Sequence, residues 1–278
     1  ELDRFPKGQI SSGNFWKNQK DVELALMGCY EYIGGNVYDA YRDGYADNNY
    51  CQYSWESNAS AISSGNINTD MNDDYEFRGI RRFNYFLDNV NKVTMDEKLK
   101  KQYIAEVRVL RAWNYYNLAN KFGAMPLFKT SVTEAEEAAI APTAEKEVIA
   151  FVINEIKEAT PDLVTTGIKS RILKGAALAL RARIHLSYGQ WSEAAEAANQ
   201  VMGMNYKLFE TEPTDKEMSD DDYSQFVTFA NNDDKKAFYK GLKSYEQQFW
   251  DTNKSNSEVI LNSEFIPESY NYIALYLL

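Results

Sequence analysis

Residues 106–128 read Glu-Val-Arg-Val-Leu-Arg-Ala-Trp-Asn-Tyr-Tyr-Asn-Leu-Ala-Asn-Lys-Phe-Gly-Ala-Met-Pro-Leu-Phe. Large side chains recur in and just before this run at helical spacing, in two stripes around the cylinder, which predicts a long helix that packs on two sides. The helix should end at Gly123, which suits the left-handed position beyond a helix end, because Pro126 cannot continue it. The first stripe comprises Ile104, Arg108, Arg111, Tyr115, Leu118 and Phe122, and the second comprises Val107, Leu110 and Trp113 or Asn114.

Residues 172–202 show the pattern of two more helices, which meet at Tyr188-Gly189-Gln190. Alanines of the first helix face alanines of the second, and such small side chains let two helix backbones approach closely. A glycine corner between alanine-rich helices is typical of a tetratricopeptide hairpin with Ala195 at the close contact, although an ordinary antiparallel helix pair fits the same pattern. The alanines are Ala176, Ala177, Ala179 and Ala182 in the first helix and Ala194, Ala195, Ala197 and Ala198 in the second.

The whole chain is predicted to be all-α, because helical periodicity recurs along it and strand periodicity does not. Negative charge at Asp21, Asp96 and Glu145 suits the first turns of three of these helices. Two long polar segments, 34–74 and 210–257, are expected to be irregular loops. The predicted helices cover residues 17–33, 75–93, 95–122, 144–159, 172–188 and 191–202.

Four blocks occur along the chain in an order that is typical of one protein family. The first is Phe15-Trp16 followed by Asp21, Ala25 and Gly28-Cys-Tyr30, and the second is residues 106–127, which are similar to E-A-x-x-L-R-A-x-x-Y-x-x-L-x-x-x-F-G-x-x-P-L. The third runs from Lys174-Gly-Ala-Ala177 through Gly189-Gln-Trp191 to Ala194-Ala195. The fourth is Tyr206-Lys-Leu-Phe209 with, after an insertion, Asn256-Ser-Glu258-Val-Ile-Leu261. Together the blocks resemble the SusD/RagB family, the surface glycan-binding lipoproteins of gut Bacteroidetes.

The resemblance implies a SusD-like, tetratricopeptide-like fold with long loops, a carbohydrate-binding function in polysaccharide utilisation and no enzyme activity. Residues 1–278 would be the N-terminal part of one longer domain, with a helical core mainly at 15–33 and 75–203 and loop-rich segments at 34–74 and 204–278. Three partners are implied. The first is a glycan, and the second is a SusC-like TonB-dependent transporter that takes up this glycan as a nutrient. The third is the outer membrane, where an N-terminal lipid upstream of this chain would hold the protein at the cell surface.

Composition excludes one class of partner. The 278 residues carry a net charge of -11, and no basic stripe is present that could displace counterions from phosphates, so no nucleic acid is expected. Hydrophobic residues make up 44% of the chain, which suits a globular protein with a core. No apolar run approaches the roughly 20 residues that span a bilayer, and no signal segment follows Glu1, so composition alone leaves a cytosolic location open.

The segment 34–74 is the candidate ligand-binding region, because aromatic and polar residues are interleaved in it. Sugars offer apolar C–H faces that stack on flat rings and hydroxyls that need hydrogen-bonding partners, and this mixture supplies both. Rings that pack the segment onto the helices would give the same composition, and Trp55, which has polar neighbours, is the strongest single candidate. A ligand that avoids this segment would meet residues 239–250 or chain beyond Leu278. The candidate ligand residues are Tyr41, Arg42, Tyr45, Asp47, Asn48, Tyr50, Tyr53 and Trp55.

Residues that carry redox or metal chemistry are sparse, and no cofactor is expected. Cys29 and Cys51 lack CxxC spacing and a histidine cluster, so no zinc site or redox motif is predicted, whereas a disulfide between them depends on their spacing in the fold. Oxygen-bearing side chains alternate from Asn66 to Glu76 as in a calcium loop. Met71 stands where that turn needs glycine, so no metal site is predicted, although calcium binding stays open.

Catalysis would need residues that the pattern does not supply. His185 is the only histidine, so a Ser-His or Cys-His mechanism would have to use it. Acidic runs at 134–137 and 219–222 are typical of solvated surfaces, and glycosidase carboxylates are defined by their separation in space. An α-helical glycoside hydrolase and a repeat scaffold that binds a peptide in its groove are the alternatives to a glycan-binding protein.

Overall fold

The structure is a computed structural model that describes residues 15–34, 42–47, 49–53, 57–71 and 75–263. Within these ranges the chain forms nine α-helices and no β-strand, since the one bridge with β-type hydrogen bonds, Met125 to Thr143, is isolated. The prediction of an all-α fold is confirmed. The helices are α1 (Gln19–Tyr30), α2 (Ala59–Ser63), α3 (Arg78–Asn89), α4 (Glu97–Phe122), α5 (Glu145–Ala159), α6 (Lys174–Ser187), α7 (Trp191–Met202), α8 (Asp215–Asp220) and α9 (Asn232–Gln247).

Local sequence signals set where the helices begin and end. Asn18 caps α1, because its side-chain oxygen accepts a hydrogen bond from the backbone N–H of Lys20 at 2.9 Å, so the helix begins at Gln19 rather than at residue 17. Asp96 caps α4 in the same way. That helix ends at Phe122, and the following Gly123 has φ 73° and ψ −125°, a positive-φ conformation that glycine adopts without strain, so the Phe-Gly corner ends the helix as predicted.

The long helix α4 is the centre of the fold. It packs against α1, α3, α5 and α6, so it is buried on several sides, as its two stripes predict. One continuous hydrophobic core joins these helices. Large side chains that are fully buried in this core include Leu26, Phe83, Phe86, Leu110, Tyr115, Ile156 and Ile184.

α6 and α7 form the predicted hairpin, with Gly189 at the corner in a left-handed conformation, φ 68°. Ala177 on α6 and Ala197 on α7 are fully buried, and Ala194 is nearly so. The prediction that Ala195 lies at the close contact is wrong, because this residue is exposed. Residues 194 and 197 are three apart and share the inward face of α7, which turns residue 195 by about 100° toward solvent.

The prediction that residues 210–257 form an irregular loop is wrong, because two helices lie in this segment. This segment contains α8 and the 16-residue helix α9, which is capped by the side chain of Asn231. α9 lies in a strongly polar stretch, and two of its three buried residues, Lys243 and Ser244, are polar, so its composition resembles that of a loop. In the segment 34–74, the described residues form the short helix α2 and a single 3₁₀ turn.

Candidate functional site

The described part of the 34–74 segment is attached to the bundle where α4 ends. It begins with the 3₁₀ turn Arg42–Tyr45, which packs against α2. The Tyr45 ring lies 5.5 Å from the ammonium nitrogen of Lys121 in the last turn of α4. Tyr75, at the other end of the segment, has its ring 5.0 Å from that of Phe122. Ring contacts at both ends therefore fix the segment to the same end of α4.

A small buried cluster of Gly44, Cys51 and Ala59 holds the described part of this segment together. Gly44 is buried, and a Cβ atom added to it would lie 3.0 Å from Cβ of Ala59, so a larger residue would push the 3₁₀ turn away from α2. Cys51 is also buried, and its thiol donates a hydrogen bond to the carbonyl of Tyr53 at 3.3 Å. The carbonyl of Cys51 accepts one from the hydroxyl of Ser60 at 3.5 Å. These contacts bring the 3₁₀ turn, residues 51–53 and the start of α2 together.

Two of the predicted ligand residues, which lie close to Cys51 in the sequence, have exposed rings. Tyr50 is 78% exposed and Tyr53 is 46% exposed. Asp47 is exposed as well, and the side chain of Asn49 accepts a hydrogen bond from the backbone N–H of Tyr50 at 2.8 Å. Open tyrosine rings beside carboxylate and amide groups can stack on a sugar and bond its hydroxyls.

The remaining predicted ligand residues fall into two groups. Tyr45 is half-buried against α4, so its ring holds the segment on the bundle rather than facing a ligand. Arg42 is the first residue of the 3₁₀ turn. The other three lie outside the residues that the structure describes. They are Tyr41, Asn48 and Trp55.

Glu106, which begins the long-helix motif, joins three parts of the fold. Its fully buried carboxylate accepts hydrogen bonds from the guanidinium of Arg171 at 2.7 and 2.9 Å, from the hydroxyl of Tyr30 at 2.6 Å and from Gln102 at 3.0 Å. Burial first, and then the Glu106 charge, raises the pKa of Tyr30, so this hydroxyl stays protonated and donates. Four donors occupy the roughly four lone-pair positions of the carboxylate, which leaves none for a substrate.

Arg111 of the same motif is also fully engaged. Its guanidinium is paired with Glu155 of α5 and donates to the side-chain oxygen of Asn84 at 2.7 Å and to the carbonyl of Lys129 at 3.0 Å. Asn84 in turn donates to the carbonyl of Phe128 at 3.0 Å. The motif arginine therefore ties the chain that follows the Phe-Gly corner to α3 and α5. It has a structural role that sequence spacing does not reveal.

The acidic runs hold turns together. Backbone hydrogen bonds, first of all from Thr133, lower the pKa of the exposed Glu137 carboxylate, which caps a short 3₁₀ turn. In the second run, Asp221 accepts a hydrogen bond from Lys243 of α9 at 2.9 Å. That bond raises the pKa of Lys243 to about 12. Neither carboxylate faces an apolar pocket of the kind that a general acid needs.

The candidate redox and metal residues lie apart from one another. Cys29 and Cys51 are not joined in a disulfide, and burial raises the pKa of Cys29 to about 12, which keeps this thiol unreactive. His185 is buried at the α6–α7 corner, with its Nδ1 atom 2.5 Å from the side-chain oxygen of Gln190. In the described ranges, no three His, Cys, Asp or Glu side chains are grouped closely enough to hold a metal ion.

In the described ranges the chain is thus a bundle of helices with paired buried charges and with exposed rings on the segment that precedes α3. A family model described as SusD-like, starch-binding and associating with the outer membrane matches residues 10–186. The chain therefore belongs to the SusD-like family, as the four sequence blocks predict. The family is described by what it binds and not by a reaction, which agrees with the prediction that the chain is not an enzyme. No helix in the described part of the chain has the length and apolar character to cross a bilayer.

Similar proteins are about twice as long or longer. SusD-like protein P38 of Formosa agariphila is 24% identical over 217 residues, which are 73% of this chain and 42% of that protein. Starch-binding protein SusD of Bacteroides thetaiotaomicron is 32% identical over 139 residues, 46% of this chain and 24% of that protein.

The crystal structure of a SusD-like protein from Bacteroides fragilis matches with a TM-score of 0.70 at 20% identity, over 96% of this chain and 49% of that chain. A laminarin binding SusD-like protein matches with a TM-score of 0.62 at 24% identity, over 69% and 47%. The chain spans less than half the length of each of these relatives, and the structural matches confirm its fold.

Proposed function

We propose that this chain is part of an outer-membrane glycan-binding protein that holds an oligosaccharide or polysaccharide at residues 41–55 without cleaving it. The observation that carries the proposal is the exposure of Tyr50 and Tyr53 in a segment whose Gly44 and Cys51 are buried. Exposed rings of this kind can stack on the apolar face of a sugar without first leaving a core.

The surrounding polar groups favour a neutral glycan. Asp47, Asn49 and Gln52 are exposed beside the rings and can pair with sugar hydroxyls. Arg42, Tyr41, Asn48 and Trp55 complete the proposed site by their place in the sequence. A chain with a net charge of -11 repels acidic polymers. Starch and laminarin, which the names of two relatives contain, are uncharged and are the first glycans to test.

The proposal extends to delivery of the glycan. The protein would hand its ligand to a SusC-like TonB-dependent transporter during nutrient uptake, with an N-terminal lipid holding it at the cell surface. The family description, which names association with the outer membrane, supports this location. Purification of the full-length protein from outer membranes should recover such a transporter in near-equal amount. Recovery of the protein alone, or from the cytosolic fraction, contradicts this part.

Affinity electrophoresis in gels that contain starch, laminarin or other neutral polysaccharides tests the binding site. Loss of one stacking ring costs about 1–3 kcal/mol, so Tyr50→Ala and Tyr53→Ala should each weaken binding about fivefold or more and reduce retardation accordingly. Tyr50→Phe is the matched control, because it keeps the ring and loses only the hydroxyl. Circular dichroism should be the same for all variants. Equal retardation of wild type and both alanine variants would place the ligand elsewhere.

A further inference from the structure

A groove of about 570 Å³ lies between α4, α6 and the chain segment 258–262. Much of its lining is apolar, and two of the largest lining side chains, Trp113 and Leu180, are only partly buried. Apolar side chains of this size that remain partly in water mark a place where something else packs. The apolar lining outside the segment 258–262 includes Ile33, Leu110, Trp113, Ala176, Ala179 and Leu180.

Contacts within the bundle fix the shape of this groove. The Trp113 ring stacks on that of Tyr116, with centroids 5.4 Å apart and planes 28° apart. The Tyr116 hydroxyl donates to the Ser187 hydroxyl of α6 at 3.2 Å, which ties the two helices together. Ala176 and Ala179 have no side chain beyond Cβ, so α6 leaves space beside the indole open. The groove is therefore formed before anything occupies it.

The segment 258–262 is held along the groove at both ends. The Glu258 carboxylate accepts a hydrogen bond from the backbone N–H of Phe209 at 3.0 Å. The backbone N–H of Asn262 donates to the carbonyl of Lys169 at 3.1 Å. The next hydroxyl, that of Ser263, donates to the carbonyl of Gly34 at 3.1 Å, directly after the groove residue 33. Residue 264 therefore starts at the rim of the groove.

Asn262 has an acceptor that still needs a donor. Its side-chain oxygen Oδ1 is buried, and no group in the described part of the chain donates a hydrogen bond to it. A buried acceptor without a donor lowers stability. Asparagine side chains often accept from a backbone N–H two residues further on, which here is that of Glu264. Since Asn262 lines the groove, its free acceptor indicates that polypeptide backbone passes there.

The chain that follows Ser263 has the composition of such an occupant. Ten of the fifteen residues 264–278 are apolar or aromatic, and none is lysine or arginine. Phe265 and Ile266 are two and three residues beyond Ser263, within about 7–11 Å at about 3.3–3.6 Å per residue. Glu264 and Glu268 flank this pair, and Arg183 at the groove offers the opposite charge.

The volume of the groove suits this pair of side chains. A cavity of about 150 Å³ holds one benzene ring, so a groove of this size has room for Phe265, Ile266 and about one further large side chain. We propose that Phe265 and Ile266 enter the groove and pack against Trp113 and Leu180, with a backbone N–H of the same segment bonding the Asn262 oxygen. This docking joins the chain after the bundle to α4 and α6. It also covers the Trp113 ring, which is then closed to a sugar.

Crosslinking tests the proximity directly. Ala179→Cys/Phe265→Cys should be joined within one chain by mild oxidation or by a short bismaleimide, because Ala179 lines the groove. Digestion and mass spectrometry identify the joined cysteines and separate them from the native Cys29 and Cys51. Ser192→Cys/Phe265→Cys is the matched control, since Ser192 is exposed on α7 outside the groove, and it should stay unlinked. No link in the first pair overturns the docking, and a link between two chains overturns it in favour of a second copy.

Thermal melts test whether the contact stabilises the protein. Phe265→Ser/Ile266→Ser should lower the melting temperature by about 5 °C or more, because it removes two packed apolar side chains. Ile67→Ser/Phe226→Ser removes the same two side chains where they are 68% and 79% exposed, and should stay within about 2 °C of wild type. Equal shifts overturn the docking. Calorimetry with starch and laminarin should give the same affinity for Trp113→Ala as for wild type, and a loss of affinity with helicity kept overturns the docking in favour of a sugar in the groove.

Discussion

Replacement of Glu106 by glutamine should destabilise the fold more than any exposed charge does. The variant keeps the shape of the side chain but places an amide donor against the donors of Arg171 and Tyr30. Loss of one partner from a buried ion pair costs about 3–5 kcal/mol. The Arg171 side chain retains 25% exposure, and water offsets part of this loss, so we expect about 2–4 kcal/mol. At about 2–4 °C per kcal/mol for a chain of this size, the melting temperature should fall by about 4–16 °C.

Urea denaturation followed by circular dichroism measures this loss. Glu158→Gln is the matched control, since it makes the same chemical change on a side chain that is 54% exposed and paired with Arg108. Exposed pairs contribute about 0–1 kcal/mol, so this variant should unfold close to the wild type. Equal urea midpoints for Glu106→Gln and Glu158→Gln would show that the buried pairing of Glu106 stabilises the fold no more than an exposed ion pair does.

Three further variants test the packing of the helices. Ala197→Leu should overpack the α6–α7 seam and cost about 1–3 kcal/mol in a thermal melt, whereas Ala195→Leu on the exposed face should stay within about 0.5 kcal/mol of wild type; equal effects would contradict the seam. Gly175→Ala should lower the urea midpoint despite the better helix propensity of alanine, because its Cβ would meet the hydroxyl of Tyr206 at 2.2 Å; an unchanged midpoint would show that Tyr206 does not pack there. Burial, first of all, raises the pKa of Tyr30 in the fold, so the folded state favours the protonated hydroxyl. Its contribution to the free energy of unfolding is therefore complete below the ordinary pKa of 10.0 and is lost as pH rises toward the folded-state pKa. Tyr30→Phe should therefore flatten the alkaline side of a stability profile measured by circular dichroism, and an unaltered profile would contradict this.

Much of the helical core can be predicted from sequence because local signals agree with the tertiary packing. In α4 the apolar stripes, the Asp96 cap and the glycine at the end all indicate the same helix. In α7 the pattern places both ends of the helix but not its face, because neighbouring alanines look alike in sequence and only Ala194 and Ala197 turn inward. α9 begins in a run of charged and amide residues, and only Tyr239 among its three buried residues is aromatic, so composition indicates a loop where a helix forms.

The candidate site is predictable in composition and not in geometry. The interleaved rings and polar groups of residues 41–55 are visible in the sequence, but which rings are open depends on contacts such as Tyr45 with Lys121. Pairings between distant residues are also hidden, since Arg171 and Glu106 are 65 positions apart. Sequence patterns place the motif residues near one another without showing that Glu106 and Arg111 are used up in holding the fold.

Isothermal titration calorimetry of the purified protein with starch, laminarin and their oligosaccharides, followed by chromatography of the recovered sugars, tests the central claim most directly. We predict saturable binding of at least one neutral glycan that weakens when Tyr50 and Tyr53 are replaced by alanine, with the sugars recovered at their original length. Absence of binding to every glycan, or the appearance of shorter products made by the pure protein, would contradict the account.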